Sequence, residues 1–154
     1  PPTPGPDPMP LHDHDHDHAH DHGHTHPDLT RNQTLVMTTL VEAGGPLSAY
    51  SILDRLRGEG MRAPLQVYRA LDKLVDFGLV HRLESLNAFV ACRNPDCEAH
   101  ETVAFAICER CGAVTEISDD GLAERLRDIA GAAGFALTKS TVELRGLCRT
   151  CGTA

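Results

Sequence analysis

Two short phrases limit this chain more than anything else in it: Cys108-Glu109-Arg110-Cys111-Gly112 and Cys148-Arg149-Thr150-Cys151-Gly152. Four thiolates in two Cys-x-x-Cys pairs fill the tetrahedral shell of zinc and leave no open position for water or substrate. The glycine after each pair permits a tight knuckle that aims backbone amides at sulfur. The gap between the pairs is longer than in a small zinc finger, but it has room for a helix and a strand. One Cys-x-x-Cys acting alone as a redox dithiol leaves the second pair unexplained, so the reading is a closed structural zinc site at Cys108, Cys111, Cys148 and Cys151. Such a site supplies on the order of 10 kcal/mol towards folding. A chain of 154 residues with no Trp and 4% aromatic residues has a mainly aliphatic, modest core that needs such help.

The sequence has no long apolar run and no basic-then-apolar leader, so the expected location is cytoplasmic, where thiols stay reduced. The six cysteines therefore read as metal ligands before disulfides. The net charge of −8 is unevenly spread: residues 1–29 carry −6, residues 30–91 carry +1 and residues 92–154 carry −3. The total neither supports nor excludes a nucleic-acid partner. Residues 1–29 hold eight of the ten histidines, alternating with aspartate, and almost nothing apolar. They are expected to form a disordered tail that loosely collects metal.

Residues 30–91 read as three helices and a hairpin. Val36, Met37, Leu40 and Val41 share one face of the first helix, which Gly44-Gly45-Pro46 ends. Ser48 caps a second helix carrying Ala49, Ile52, Leu53 and Leu56 on its inner stripe. Pro64 opens a third with Val67, Ala70, Leu71, Leu74 and Val75 inward, stopped by Gly78. Two short strands around Asn87 follow. This is the layout of a winged helix-turn-helix, and its third helix offers Gln66, Arg69 and Lys73, with Tyr68 alongside, to DNA. The same polar face also fits an ordinary solvated helix surface.

Residues 92–154 read as α/β: strands at TVAFAIC and GAVTEI, a helix opened by Ser118, Asp119 and Asp120 with Leu122, Leu126, Ile129 and Ala130 on one side, and FALTKSTVELRGLC returning as one long or broken strand. The fold class is thus α+β, with a hinge at about 86–93. Outside the tail there are two histidines, His81 and His100, and two further cysteines, Cys92 and Cys97. They cluster at the junction of the two segments, where they are either a second set of metal ligands or ordinary surface and core residues.

The stretch VYRALDKLVDFGLVHRLES, the Cys and His that follow it, CERCGAV and CRTCG together resemble the ferric uptake regulator superfamily, in its zinc-responsive branch. The similarity spans roughly residues 30–152. The resemblance implies a homodimer of N-terminal winged-helix domains and C-terminal dimerisation domains, with the four paired cysteines as the structural zinc site. It implies a regulatory zinc on His81, Cys92, His100 and Glu116, hence two zinc ions per chain, and it turns Tyr50, Tyr68 and Arg69 towards the operator. The function implied is zinc-dependent repression: zinc acts as co-repressor, and the dimer binds pseudo-palindromic operators of zinc-uptake genes when zinc is plentiful. No membrane, small-molecule substrate or enzymatic activity is expected.

Two features depart from the family. His100-Glu101-Thr102-Val103 stands where iron- and peroxide-sensing relatives usually carry His-His-x-His, and a thiolate at Cys92 suits zinc better than ferrous iron. Cys97 has no clear family role: it either replaces Glu116 in some states or is a free thiol, and the second reading is preferred. The competing readings are a regulator responding to iron or another metal, a zinc buffer or chaperone built around the tail, and a zinc hydrolase. The last lacks an open coordination position and an evident nucleophile-base pair.

Overall fold

The computed structural model describes residues 27–93 and 102–152. The N-terminal half opens with α1 (Arg31–Ala43), α2 (Ala49–Leu56) and α3 (Pro64–Asp76), then pairs β1 (Val80–Leu83) with β2 (Ala88–Ala91). Local chemistry sets each boundary. Thr30 starts α1 through a capping box: its hydroxyl accepts from the Gln33 amide, and the Gln33 side chain accepts from the Thr30 amide at 2.9 Å. Gly44 ends α1 at φ 62°, a left-handed cap that glycine adopts without a Cβ penalty. Ser48 caps α2 by accepting from the Ser51 amide at 3.1 Å, and Pro64 sits in the first turn of α3. Asn87 turns the hairpin at φ 46°.

Val36, Leu40, Ile52, Leu53, Val67, Leu71 and Leu74 form the core between the helices and the hairpin, with Phe89 closing it from the wing. Met61, in the expected break between α2 and α3, is fully buried there too. Val41 differs from expectation and is 58% exposed. The inward stripe of α1 runs through Val36, Thr39 and Leu40, and the Thr39 hydroxyl satisfies itself by donating to the Leu35 carbonyl at 2.8 Å.

The C-terminal half is a three-stranded sheet in the order β4-β3-β5, from β3 (Thr102–Cys108), β4 (Val114–Ile117) and β5 (Ser140–Gly146). β4 is antiparallel to β3, whereas β5 runs parallel to it, from Thr102 opposite Ser140 to Cys108 opposite Gly146. A parallel return needs a crossover, and α4 (Asp120–Ala132), capped by Asp119, supplies it. Residues 135–139 lie outside β5, so the returning strand is shorter than the sequence pattern. Cys148 lies just beyond β5, ahead of a short helical turn, α5 (Arg149–Gly152). The apolar side of α4 is not buried within the chain: Ile129 is 52% exposed, and Phe135 beyond the helix 65%. The halves meet through a smaller apolar cluster in which Leu83 and Val90 of the hairpin pack on Val103, Phe105 and Ile107 of β3.

Candidate metal centres and nucleic-acid interface

The parallel β3–β5 pairing brings both cysteine knuckles to one end of the sheet. In each, the glycine amide donates back to the first cysteine's carbonyl, Gly112 to Cys108 at 2.9 Å and Gly152 to Cys148 at 2.8 Å. The two knuckles are tied together: the Cys148 amide donates to the Cys108 sulfur at 3.3 Å, and Arg110 donates to the Cys151 carbonyl at 2.6 Å. The sulfurs of Cys108, Cys111, Cys148 and Cys151 all lie within 4.8 Å of one another. Tetrahedral zinc with bonds of about 2.3 Å requires sulfurs about 3.8 Å apart, and Cys111 and Cys148 stand at 3.8 Å.

The thiols of Cys108, Cys148 and Cys151 influence one another's titration. Amides of Cys148 and Cys111 hold the Cys108 thiol down at about 6, against an ordinary 9.0. The hydrogen bond with Cys148 pushes Cys151 up to about 12. Backbone hydrogen bonds thus favour the thiolate at Cys108 and at Cys148, while the Cys151 proton is the one a cation must displace.

A second cluster forms where the halves meet. His81 comes from β1, Cys92 follows β2 and Glu116 comes from β4, with ligand atoms within 4.8 Å of one another. His81 is buried under Phe105, ring centroids 5.3 Å apart. That burial lowers its pKa from 6.5, Glu116 raising it and Lys139 lowering it by smaller amounts. A neutral imidazole is the form a metal accepts. The Cys92 sulfur lies 4.0 Å from the Glu116 carboxylate. Cys92 is disulfide-bonded in this structure, so ligation as a thiolate requires its reduction. A cavity of about 160 Å³ opens beside the cluster, lined by Leu40, Gly44, Val90, Cys92, Phe105 and Glu116. His100 and Cys97 lie outside the described residues, as does most of the His/Asp-rich tail.

Three donors of unlike chemistry, nitrogen, sulfur and oxygen, suit zinc or another borderline cation rather than calcium or magnesium. Spacing alone does not single out Glu116. The antiparallel register that sets it opposite Phe105, under which His81 packs, is what delivers it.

On α3, Arg69 and Lys73 are exposed, and Lys73 stands 3.9 Å from Asp76. Tyr68 is half-buried against the helical core, and Tyr50 on α2 is 63% exposed. Gln66 has a structural task that sequence reasoning missed. Its carbonyl oxygen accepts from the amides of Arg62 at 2.9 Å and Ala63 at 3.1 Å, capping α3 in place of a serine or threonine. Only its NH2 group remains to meet a base or phosphate.

Residues 28–145 match the Ferric uptake regulator family. The Zinc uptake regulation protein of Escherichia coli (strain K12) is 40% identical over 124 residues, which cover 80% of this chain and 72% of that protein. The Ferric uptake regulation protein of the same strain is 33% identical over 105 residues, 66% of this chain and 68% of that protein. Among solved structures, a zinc uptake regulator complexed with zinc and DNA aligns with a TM-score of 0.75 at 40% identity, covering 80% of this chain and 82% of that one. Holo XcZur aligns at 0.74 and 42% identity, covering 82% and 87%. With its helix-helix-helix-hairpin unit, its β4-β3-β5 sheet and its paired cysteine knuckles, the chain belongs to the ferric uptake regulator family.

Proposed function

We propose that this protein is a zinc-dependent transcriptional repressor that binds operators of zinc-uptake genes as a homodimer when zinc is plentiful. The observation that carries the reading is the His81–Cys92–Glu116 cluster, because its members belong to both halves of the chain. Identities of 40% to a zinc uptake regulation protein and 42% to holo XcZur point to zinc as the ion. His100 completes the proposed set as a fourth ligand. The four paired cysteines hold a structural zinc, giving two per chain, and residues 92–154 form the dimerisation domain beyond a winged-helix domain at 30–91.

The chain's own residues set up the switch. His81 fixes one ligand to the wing, and Glu116 fixes another to the sheet. Joined by one ion, the two halves hold one relative angle, and so do the two α3 helices of a dimer. A pseudo-palindromic operator rewards that fixed spacing. The control available equals the difference in zinc affinity between closed and open arrangements. Tyr50, Gln66, Tyr68, Arg69 and Lys73 are the proposed operator contacts. Support for the homodimer comes from β5, an edge strand among the described residues, and from exposed Ile129, Phe135, Leu144 and Leu147. Among the described residues no helix is long and apolar enough to cross a membrane, and a repressor works beside its DNA in the cytoplasm.

The test is fluorescence anisotropy of operator DNA from upstream of a zinc-uptake gene, titrated against buffered free zinc under reducing conditions. Wild type is expected to bind only above a zinc threshold. Cys92→Ser is expected to remain a folded dimer retaining one zinc per chain and to lose that response. Equal binding by both proteins with and without added zinc would remove the switch from this site.

A further inference from the structure

Besides the metal-ligand cluster, polar contacts join the two halves, and one of them falls on the wing itself. Glu143 lies in β5 opposite Phe105. Its carboxylate spans the junction and accepts two backbone hydrogen bonds from the hairpin, from the amide of Glu84 at 2.6 Å and of Ser85 at 3.0 Å. Those residues begin the 3-10 turn Glu84–Leu86, which links β1 to β2 and forms the tip of the wing. Neither amide has a partner in the β1–β2 ladder, whose register ends at Leu83 opposite Ala88. The carboxylate therefore caps this turn from a distance of 59 residues in sequence, as an aspartate caps a helix from next door. No side chain of the turn makes that cap itself.

We infer that Glu143 is a positioning residue for operator binding: its carboxylate straps the wing tip to the dimerisation sheet and so sets the wing's angle in the closed form. This rests on the repressor reading. The strap lies in a different place from the metal ligands. His81, Cys92 and Glu116 fasten the base of the hairpin, whereas Glu143 fastens its tip, so together they resist rotation as well as separation. A hairpin held only at its base can pivot. Held at both ends, it presents one face. The geometry also explains a carboxylate at this place in β5, because only an anion accepts two converging amides at charge-assisted strength.

The test uses the full-length, zinc-loaded protein with Glu143→Gln, which keeps size and shape while losing the charge. Two measurements are made: amide hydrogen exchange at residues 84 and 85, and operator affinity at saturating zinc. The expected result is exchange faster by about tenfold at both amides, with the amides of β2 unchanged. Operator binding is expected to weaken by about tenfold, with zinc content and dimer unchanged. A purely structural role would instead speed exchange throughout the hairpin.

Should that variant fold poorly, Glu84→Pro removes one donor from the other side. Leu83 is already extended (φ −102°, ψ 103°), as a residue before proline must be, and position 84 opens a helical turn where proline fits. Exchange at Ser85 is then the readout. Unchanged exchange at these amides overturns the strap. Faster exchange with unaltered operator affinity overturns its positioning role. If wild type itself shows no zinc-dependent operator binding, the repressor reading falls, and the positioning role falls with it. Exchange at residues 84 and 85 still decides whether the strap exists.

Discussion

His81 carries the chemistry of this molecule at its smallest scale. Burial, more than Lys139, pulls its pKa below 6.5 against the opposing pull of Glu116. Just below that value the unfolded chain takes up a proton that the folded chain refuses. The stability associated with a neutral His81 is therefore complete above about 6.5 and is lost as pH falls towards the depressed folded value. With only the four-cysteine site loaded, urea midpoints are expected to fall between about pH 7.5 and 5.5, and to fall less in His81→Gln. An equal slope in the variant would place the titration elsewhere. The residues that matter here were unevenly legible. The paired cysteines announce themselves because their ligand geometry is local. Glu116 was reached only through the family resemblance, since it joins the cluster by strand register across more than twenty positions. Glu143 left no sequence signal, because a contact between distant elements has no period. The capping role of Gln66 left no sequence signal, because the serine or threonine that usually announces a capping box is replaced by Ala63.

At the scale of elements, hydrophobic period and cap chemistry agree in α1, α2 and α3, and that agreement is why the winged helix could be read directly. The stripe of α3 runs through Leu71, which is fully buried in the core shared with α1 and α2. Leu71→Ala is expected to lower unfolding free energy by about 2–5 kcal/mol, through lost burial and the cavity left behind. Val41→Ala, on the exposed side of α1, is expected to stay within about 0.5 kcal/mol. Urea denaturation of the two variants side by side checks both, and a small effect at Leu71 would mean that the helices repack around it. In the C-terminal half the pattern misled where tertiary context decides. The apolar side of α4 is real, but this chain alone does not cover it. The run from 135 to 139 has strand-like residues but no strand pairing among the described residues. Faces that another copy would cover look like core in sequence and like surface in a single chain.

For the whole molecule the question is which half depends on metal. The main helical core draws on residues from Val36 to Phe89 only and contains none of the paired cysteines. The β4-β3-β5 sheet is backed by the smaller cluster around Phe105, and the paired cysteines gather at one end of it. Stripping zinc with a strong chelator under reducing conditions is therefore expected to dissociate the dimer and melt the C-terminal sheet, while most of the helical signal from α1, α2 and α3 survives. Circular dichroism with size-exclusion chromatography reads both, and an intact dimer after complete zinc removal would show that the staple is dispensable.

The parallel pairing of β3 with β5 adds a dimension of time. It joins Thr102 to Ser140, residues 38 apart, and must wait until β5 has been made, after the helices and hairpin of residues 31–91 are complete. Long loop closures are slow to find. A newly made chain thus acquires its reading head early and its pairing half late, and the cysteine knuckles clamp the late step at the strand ends where it finishes. With zinc held in the knuckles as proposed, its supply is expected to set how soon each chain matures into a subunit, before any operator is touched.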